Sequence, residues 1–543
     1  MTVAGLLLFG TLAAPLVMLL GCVSRRARQR MPSLLPLAPL PALATALLAD
    51  GGTTLVLPEP PFRMTLAIDF PGALLLGAAA LLWIIAGAYA SADLRDDPNA
   101  GRFAEWWLLT LTGSLGVFIA ADLVSFYLTY SVVSLAAYGL VVHEGIPENR
   151  RAGIIYLALA VLGEAFLLMA FVFMAASTPD GSLLIRDAVA ALPTSPWRDA
   201  ALALLLLGFG LKIGLVPLHV WMPLAYTAAP IAAAAVLSGA AVKAGVIGFI
   251  RFLPFGTAMP EWGEALAAAG FLSSFYGIAI GITQENPKTV LAYSSVSQMG
   301  LLAAALGMGL ATGDNGGAAA TGFSAAHHVL VKGGLFLAIG VAAANGARLW
   351  PVRVPATVLA SALGGLPFTG GALAKLVLKG QFGEGAVGTL ATLSAAASTL
   401  LMLHFLRRLA QTVPRGMPTA RAGLAWPWVV AAAAAVAVPW ALYPSVAGGS
   451  LLDAIAPGAL WKALWPVLVG GLLAVALWRW GNRLSRVPPG DVGVAGETAA
   501  LRAAARSGAA IERADGRLRQ WSMASLALLL LVIILGAMMV AGG

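Results

Sequence analysis

The sequence runs to 543 residues, 60% of them hydrophobic and 10% charged. A soluble domain carries about 25% charge, and a chain of this length has no way to hide so much apolar surface unless a bilayer is its solvent. The net charge of +9 does not point to nucleic acid, because the basic residues sit in short loops between apolar stretches, where charge orients membrane helices. A single cysteine, Cys22, excludes a disulfide framework and a cysteine-based metal cluster.

Taken in chain order, the apolar runs predict an all-α polytopic membrane protein. About sixteen spans centre at about residues 13, 42, 80, 112, 132, 165, 208, 241, 272, 300, 332, 367, 396, 436, 470 and 531. The first needs a check, since Leu19-Leu20-Gly21-Cys22 is close to a lipoprotein cleavage box. Met1 to Gly5 carries no basic residue, and Arg25, Arg26, Arg28 and Arg30 follow the apolar run. That layout favours a membrane helix over a cleaved signal. With the N-terminus outside, the inside loops collect the arginines at 25–30, 95–102, 150–151, 348–353, 407–421 and 479–519, and Lys288. The outside loops keep only Arg63, Arg186, Arg198, Arg251 and Lys462. This alternation predicts a multi-pass protein of the inner (cytoplasmic) membrane with its N-terminus outside.

Two spans read as interrupted. Val216-Pro217-Leu218-His219 and Trp221-Met222-Pro223 break the seventh; Gly364-Gly365-Leu366-Pro367 and Gly370-Gly371 break the twelfth. Broken helices free backbone groups that protein or water must satisfy, so they border polar cavities. Beyond the fifteenth span lies a polar stretch, 481–520, with a weak apolar face at Ala499, Ala503, Ala504 and Ile511. It reads as a cytoplasmic surface helix, a partner-docking segment or a tether. A last span follows at 521–543.

The residues that carry chemistry are charges inside spans. Lys212, Lys243, Lys332, Lys375 and Lys379 fall in apolar runs. Each costs about 2.5–3.5 kcal/mol at mid-bilayer, so five facing lipid would cost on the order of 12–17 kcal/mol, comparable to a whole protein's stability. They must face the interior, pair, or meet water. Placed so, a lysine is loaded and unloaded by movable charge, which is what a proton relay requires. The bland alternative is a snorkelling or backbone-tied lysine, and Lys379, near its span end, fits that better. His327, His328 and His219 add groups that titrate near neutrality; His219, at a break, reads as structural. Their spacing with carboxylates is unlike a metal site. Glu164 is the clearest intramembrane carboxylate and a candidate counter-ion, whereas Asp122 sits where it would cap a helix.

Several segments together resemble the antiporter-like membrane subunits shared by respiratory complex I, Mrp cation/proton antiporters and energy-converting, formate-hydrogenlyase type hydrogenases. They are the run from Gly208 to Pro223, Leu237 to Gly245, Gln284 to Gly300, His327 to Phe336 and the Gly365-Leu366-Pro367 break leading to Lys375. The stretch from Ala152 to Ala165 is similar to the hydrogenase branch. The resemblance covers roughly residues 100–410 and implies a fourteen-helix core of two inverted five-helix repeats with helices seven and twelve broken. On that reading residues 1–100 hold the first three spans, 101–410 the translocating core and 411–480 spans fourteen and fifteen.

The resemblance also implies roles: a half-channel lysine at Lys212, a bridging lysine at Lys243, a histidine relay at His328 and an output lysine at Lys375, with Lys332 in support. There is a departure. The family's helix-five glutamate is Ser131 here, and the aspartate after the helix-seven Trp-x-Pro is Leu224. Either Glu164 takes over as the partner of Lys212, or this subunit works differently. The implied function is proton, or cation/proton, translocation within a hetero-oligomeric complex of membrane and peripheral subunits. Sodium stays open beside the proton, and no cofactor or catalytic centre is expected in this chain. Two other readings are a proton-flow coupling subunit for a zinc-dependent enzyme that accumulates inorganic carbon, and a non-conducting scaffold.

Overall fold

Helix follows the apolar runs throughout the computed structural model, which describes residues 2–57, 63–345, 350–411, 422–481 and 487–488. Two compact units divide the chain, Met1–Pro489 and Gly490–Gly543, and the described residues belong to the first. The predicted 481–520 linker, apart from Gly481, Val487 and Pro488, and the predicted last span lie outside them.

The N-terminal part holds α1 (Val3–Gly21), α2 (Arg25–Leu34), α3 (Leu40–Leu48) and a hairpin of β1 (Thr54–Leu57) and β2 (Met64–Ala67). Next come α4 (Phe70–Asp93), α5 (Ala100–Gly116), α6 (Leu123–Val141), α7 (Pro147–Ser177), α8 (Ile185–Ala191) and α9 (Arg198–Ile213). The middle continues with α10 (Trp221–Ala228), α11 (Ile231–Val236), α12 (Lys243–Phe252), α13 (Pro260–Gly281), α14 (Pro287–Thr312) and α15 (Gly316–Asn345). The last part is α16 (Trp350–Gly364), α17 (Gly370–Phe382), α18 (Ala386–Gln411), α19 (Ala422–Ala447), α20 (Leu451–Ile455) and α21 (Pro457–Trp480). Every predicted span centre before residue 531 falls in a helix or, at 367, in the break between α16 and α17. Among the described residues twelve helices are long and apolar enough to cross a membrane.

Local chemistry sets the helix ends. Proline opens α7, α13, α14 and α21, where its missing N–H costs nothing. Asp69 and Asp122 cap α4 and α6 by accepting from the Gly72 and Ser125 backbone N–H groups. Asp122 therefore serves as a cap. Gly214 and Gly313, at positive φ, end α9 and α14. Arg251, at the end of α12, donates to the carbonyls of Val117, Phe118 and Ala120 and pairs with Asp69 at 2.9 Å. One cation thereby satisfies the exposed carbonyl end of α5 and locks it to α4. Partial burial alone would raise the Asp69 carboxyl; the Arg251 guanidinium and the Gly72 N–H outweigh it and hold it below its ordinary value.

The layers follow from which helices are apolar all round. The 231–252 segment is wholly buried, α14 is 94% buried and α15 is 89% buried over their apolar windows, against 22% for α1 and 17% for α21. These three central segments carry Lys243, His327, His328 and Lys332. Within the 231–252 segment, Leu237–Ala241 forms a π turn, separated from Lys243 by Val242 alone. The extra residue leaves backbone carbonyls aimed off the helical ladder, a feature frequent at functional sites.

Both interruptions are present. The first runs over 214–220, narrower than the sequence suggested, because Trp221-Met222-Pro223 already opens α10. Its freed backbone is satisfied by side chains: the Val216 N–H donates to Ser273 Oγ at 2.9 Å, and Trp221 Nε1 donates to the Leu211 carbonyl at 2.9 Å. The second runs over 365–369, with Gly365 at φ 90° and Phe368 at φ 64°. There Lys375 Nζ donates to the Gly364 carbonyl and Trp440 Nε1 to the Phe368 carbonyl at 3.2 Å. Both breaks thus obey the rule that irregular backbone at membrane depth must be wrapped in protein.

Candidate proton path

The first interrupted span presents Lys212 at the last turn of α9, 7% exposed. Its ammonium donates to Ser134 Oγ on α6 at 2.7 Å and lies 5.3 Å from the centroid of the Tyr130 ring, within cation–π range. Tyr156 of α7 donates to the Ser134 carbonyl at 2.6 Å, fixing α7 against the same turn of α6. Glu164, also on α7 and 7% exposed, is within electrostatic reach of Lys212. No hydrogen bond joins the two, and Glu164 Oε1 is buried without a hydrogen-bond partner; Ser131 of α6 lies beside Glu164. The structure thus brings Ser131, Glu164 and Lys212 into one cluster. Leu224, where the resemblance leads one to look for an aspartate, is a partly buried member of the apolar core.

The centre of the molecule is built around Lys243, which is fully buried. Its ammonium meets Nδ1 of His328 at 2.7 Å and donates to the Ser238 carbonyl in the π turn at 3.3 Å. With Lys243 as the ammonium, a donor only, His328 would accept at Nδ1 as a neutral ring with its proton on Nε2. Lys332, one turn beyond His328 on α15, is fully buried too and donates to the Leu291 carbonyl of α14 at 2.8 Å.

The second interrupted span places Lys375 beside its own break. A cavity of about 30 Å³ connects it to the centre, lined by Lys375, His327, His328, Gln298 and Ser324 among others. The Nε2 atoms of His327 and His328 are both buried without a partner. On its other side Lys375 borders an open cavity of about 490 Å³ shared with Lys379, Glu384, Thr389 and Lys462. Lys379 itself is 44% exposed and pairs with Glu384 at 3.0 Å. His219 is fully buried in the first break, its ring edge-on to Tyr276 with centroids 5.1 Å apart. Among the described residues no three His, Cys, Asp or Glu side chains gather closely enough to hold a metal ion.

The sequence picked out the charged members of this line but not their partners. Ser134, Tyr130 and Tyr156 around Lys212, the π turn under Lys243, and Gln298 in the cavity were not anticipated. The usable signal was the run of hydroxyls in otherwise apolar spans, dense in Tyr293-Ser294-Ser295-Val296-Ser297-Gln298.

Residues 120–400 match the family described as NADH:quinone oxidoreductase/Mrp antiporter, TM. The chain belongs to this family. Among its relatives, hydrogenase-4 component B of Escherichia coli (strain K12) is 30% identical over 308 residues, 53% of this chain and 45% of the relative. NADH-quinone oxidoreductase subunit N of Desulforudis audaxviator (strain MP104C) is 31% identical over 422 residues, 69% of this chain and 81% of that subunit. In the solved Mrp complex from Dietzia sp. DQ12-45-1b, one chain superposes with a TM-score of 0.80 at 21% identity. The match covers 100% of this chain and 63% of that one, a likeness of fold alone. This family member therefore spans under half of its hydrogenase relative and most of its quinone-oxidoreductase relative. It is an antiporter-like, multi-pass membrane subunit, and its relatives are named as parts of multi-subunit assemblies.

Proposed function

We propose that this subunit moves protons along a series relay, Lys212 to Lys243 to His328 to Lys375, within a larger membrane complex. The observation that carries the reading is the Lys243–His328 contact at 2.7 Å in the fully buried centre. No apolar core gains from placing a lysine and a histidine side by side there. Such a pair is a proton donor and acceptor already in register. In the forward step the Lys243 ammonium gives one proton to Nδ1 of His328. The imidazolium then releases its Nε2 proton toward the cavity it shares with Lys375. The neutral Lys375 amine takes that proton up, and the 490 Å³ cavity beside Lys375 supports an exit to water on that side.

Glu164 is the switch at the other end in this reading. Its carboxylate favours the charged form of Lys212, and loss of that attraction sends the proton inward. The carboxylate that relatives carry at the position of Ser131 has in effect moved one helix along, from α6 to α7. Lys332, one turn from His328, biases the central step when it carries a proton. His327 is a side branch of the cavity, while His219 and Lys379 are structural. The positive-inside pattern supports an N-terminus outside, and the family supports membrane and peripheral partner subunits that supply the driving reaction. The proton is the favoured ion, because the buried groups are nitrogen bases, poor ligands for sodium.

The test uses the full complex reconstituted in vesicles, with flux followed by a pH dye. Lys212→Ala and Lys375→Ala, made singly, should each lower flux by on the order of 10²-fold, since a series relay fails at any missing step. Lys379→Ala should leave it near wild type. Substantial flux through either of the first two variants would overturn the series reading.

A further inference from the structure

A line of buried hydroxyls runs beside the lysine path without touching a lysine. It begins at the first break, where Ser273 of α13 accepts from the Val216 N–H at 2.9 Å. The next residue, Ser274, shares a hydrogen bond with Ser394 of α18 at 2.7 Å. One turn along α18, on the same face, Ser398 accepts from Nε2 of Gln298 at 2.9 Å. Gln298 belongs to α14 and lines the cavity shared by His328 and Lys375. All four serines are at most 3% exposed. Hydroxyls that join helices at membrane depth are retained because the alternative is an unsatisfied polar group in an apolar interior. Here, with the α13 backbone joining Ser273 to Ser274 and the α18 backbone joining Ser394 to Ser398, they link one interrupted span to the cavity of the other.

The cavity itself asks for such a device. Two imidazoles line it, each with a buried Nε2 atom that lacks a partner, and the Lys375 side-chain nitrogen is turned to the Gly364 carbonyl. A polar site of about 30 Å³ has room for water. Besides the titrating groups His327, His328 and Lys375, the strongest hydrogen-bonding group lining the cavity is the Gln298 amide. With Nε2 engaged by Ser398, its Oε1 is the acceptor left for a water in the cavity.

We infer that Gln298, clamped by Ser398, is a positioning residue for the proton step between His328 and Lys375, and that the clamp is anchored through Ser394, Ser274 and Ser273 to the first break. The inference rests on the proposed relay. Gln298 Oε1 accepts one hydrogen of a cavity water and so aims its lone pairs at His328 and its other hydrogen at Lys375. The imidazolium gives its Nε2 proton to that water, and the water gives a proton to the Lys375 amine. One group loses a proton, one gains it, and the water is unchanged.

The test uses the full complex in vesicles at equal amounts of assembled protein. Gln298→Met keeps the length of the side chain and removes the amide; it should lower flux about tenfold. Ser398→Val and Ser398→Thr differ only in a hydroxyl. The valine variant should lose flux about threefold and the threonine variant should recover most of it. A packing role would affect both alike. Gln298→Met with Ser398→Val should be no worse than Gln298→Met alone, because the two act as one unit. Wild-type flux in Gln298→Met, or equal flux in the two Ser398 variants, would overturn the inference. Should Gln298→Met not assemble, the Ser398 pair decides. Lys375→Ala separates this from the relay: if it stops flux while Gln298→Met does not, only the clamp is wrong. If Lys375→Ala leaves flux intact, the relay falls and the inference with it.

Discussion

The two interrupted spans solve the same problem in different ways. In the first, the lysine ends a helix and its ammonium is held by side chains: a hydroxyl from Ser134, the face of Tyr130 and the field of Glu164. In the second, the lysine lies within the helix that follows the break. Its ammonium is held by backbone, the Gly364 carbonyl, with cavities on two sides. Among the described residues no carboxylate hydrogen-bonds to Lys375. The comparison shows where control would enter the proposed relay. Lys212 would respond to a neighbouring charge that can change, and Lys375 to the geometry of its break and the cavities beside it. A charge switch at one end and an open outlet at the other would give such a relay its direction.

Breaking the charge switch should have the larger effect. Glu164→Gln keeps the shape of the side chain and removes its charge, and should lower coupled flux by about 10²-fold. Adding Ser131→Glu to that variant should recover part of the loss, because it returns a carboxylate to the same cluster from the neighbouring helix. Vesicle flux measured for the single and double variants checks both points. A Glu164→Gln protein with wild-type coupling would mean that Lys212 is not switched by charge, and the contrast between the two halves would dissolve.

How much of this was legible in the sequence differs between the two halves. The interruptions could be read from proline and glycine, and the lysines and histidines from their cost in a bilayer. The departure at Ser131 could also be read. Glu164 could be named as the candidate partner of Lys212; what could not be read was that it stands close, because it is on a different helix, 33 positions beyond Ser131, and only the packing of α7 on α6 and α9 brings it there. Nor could the π turn before Lys243 be seen, since Leu237-Ser238-Gly239-Ala240-Ala241 has no local signature separating it from an ordinary helix. Hydroxyls were visible as residues, but their pairing between α13, α14 and α18 is a matter of tertiary geometry. Arg251 was read as a loop charge, yet it caps α5 and fastens α4.

That last clamp sharpens the comparison from outside the path, with the smallest expected effect. Because the folded carboxyl of Asp69 lies below its unfolded value, the pair stabilises the protein above the unfolded carboxylate range, near pH 4. Its contribution is lost as pH falls through the folded value. Asp69 is half-exposed, so the contribution is at most about 1 kcal/mol. The difference in thermal stability between wild type and Asp69→Asn should stay constant from about pH 8 to pH 5 and shrink below about pH 4. A difference that grew on acidification would reverse the sign of the argument. Proton flux at neutral pH should be the same in both proteins, since Asp69 is off the path.

Lys243 is where the two halves meet. Replacing it in the reconstituted complex with alanine and following proton flux with a pH dye is the most direct measurement. The series relay predicts flux lowered by about 10²-fold with the complex fully assembled. Unchanged flux through Lys243→Ala would show that protons do not cross between the halves through the Lys243–His328 contact, and would contradict the account at its centre.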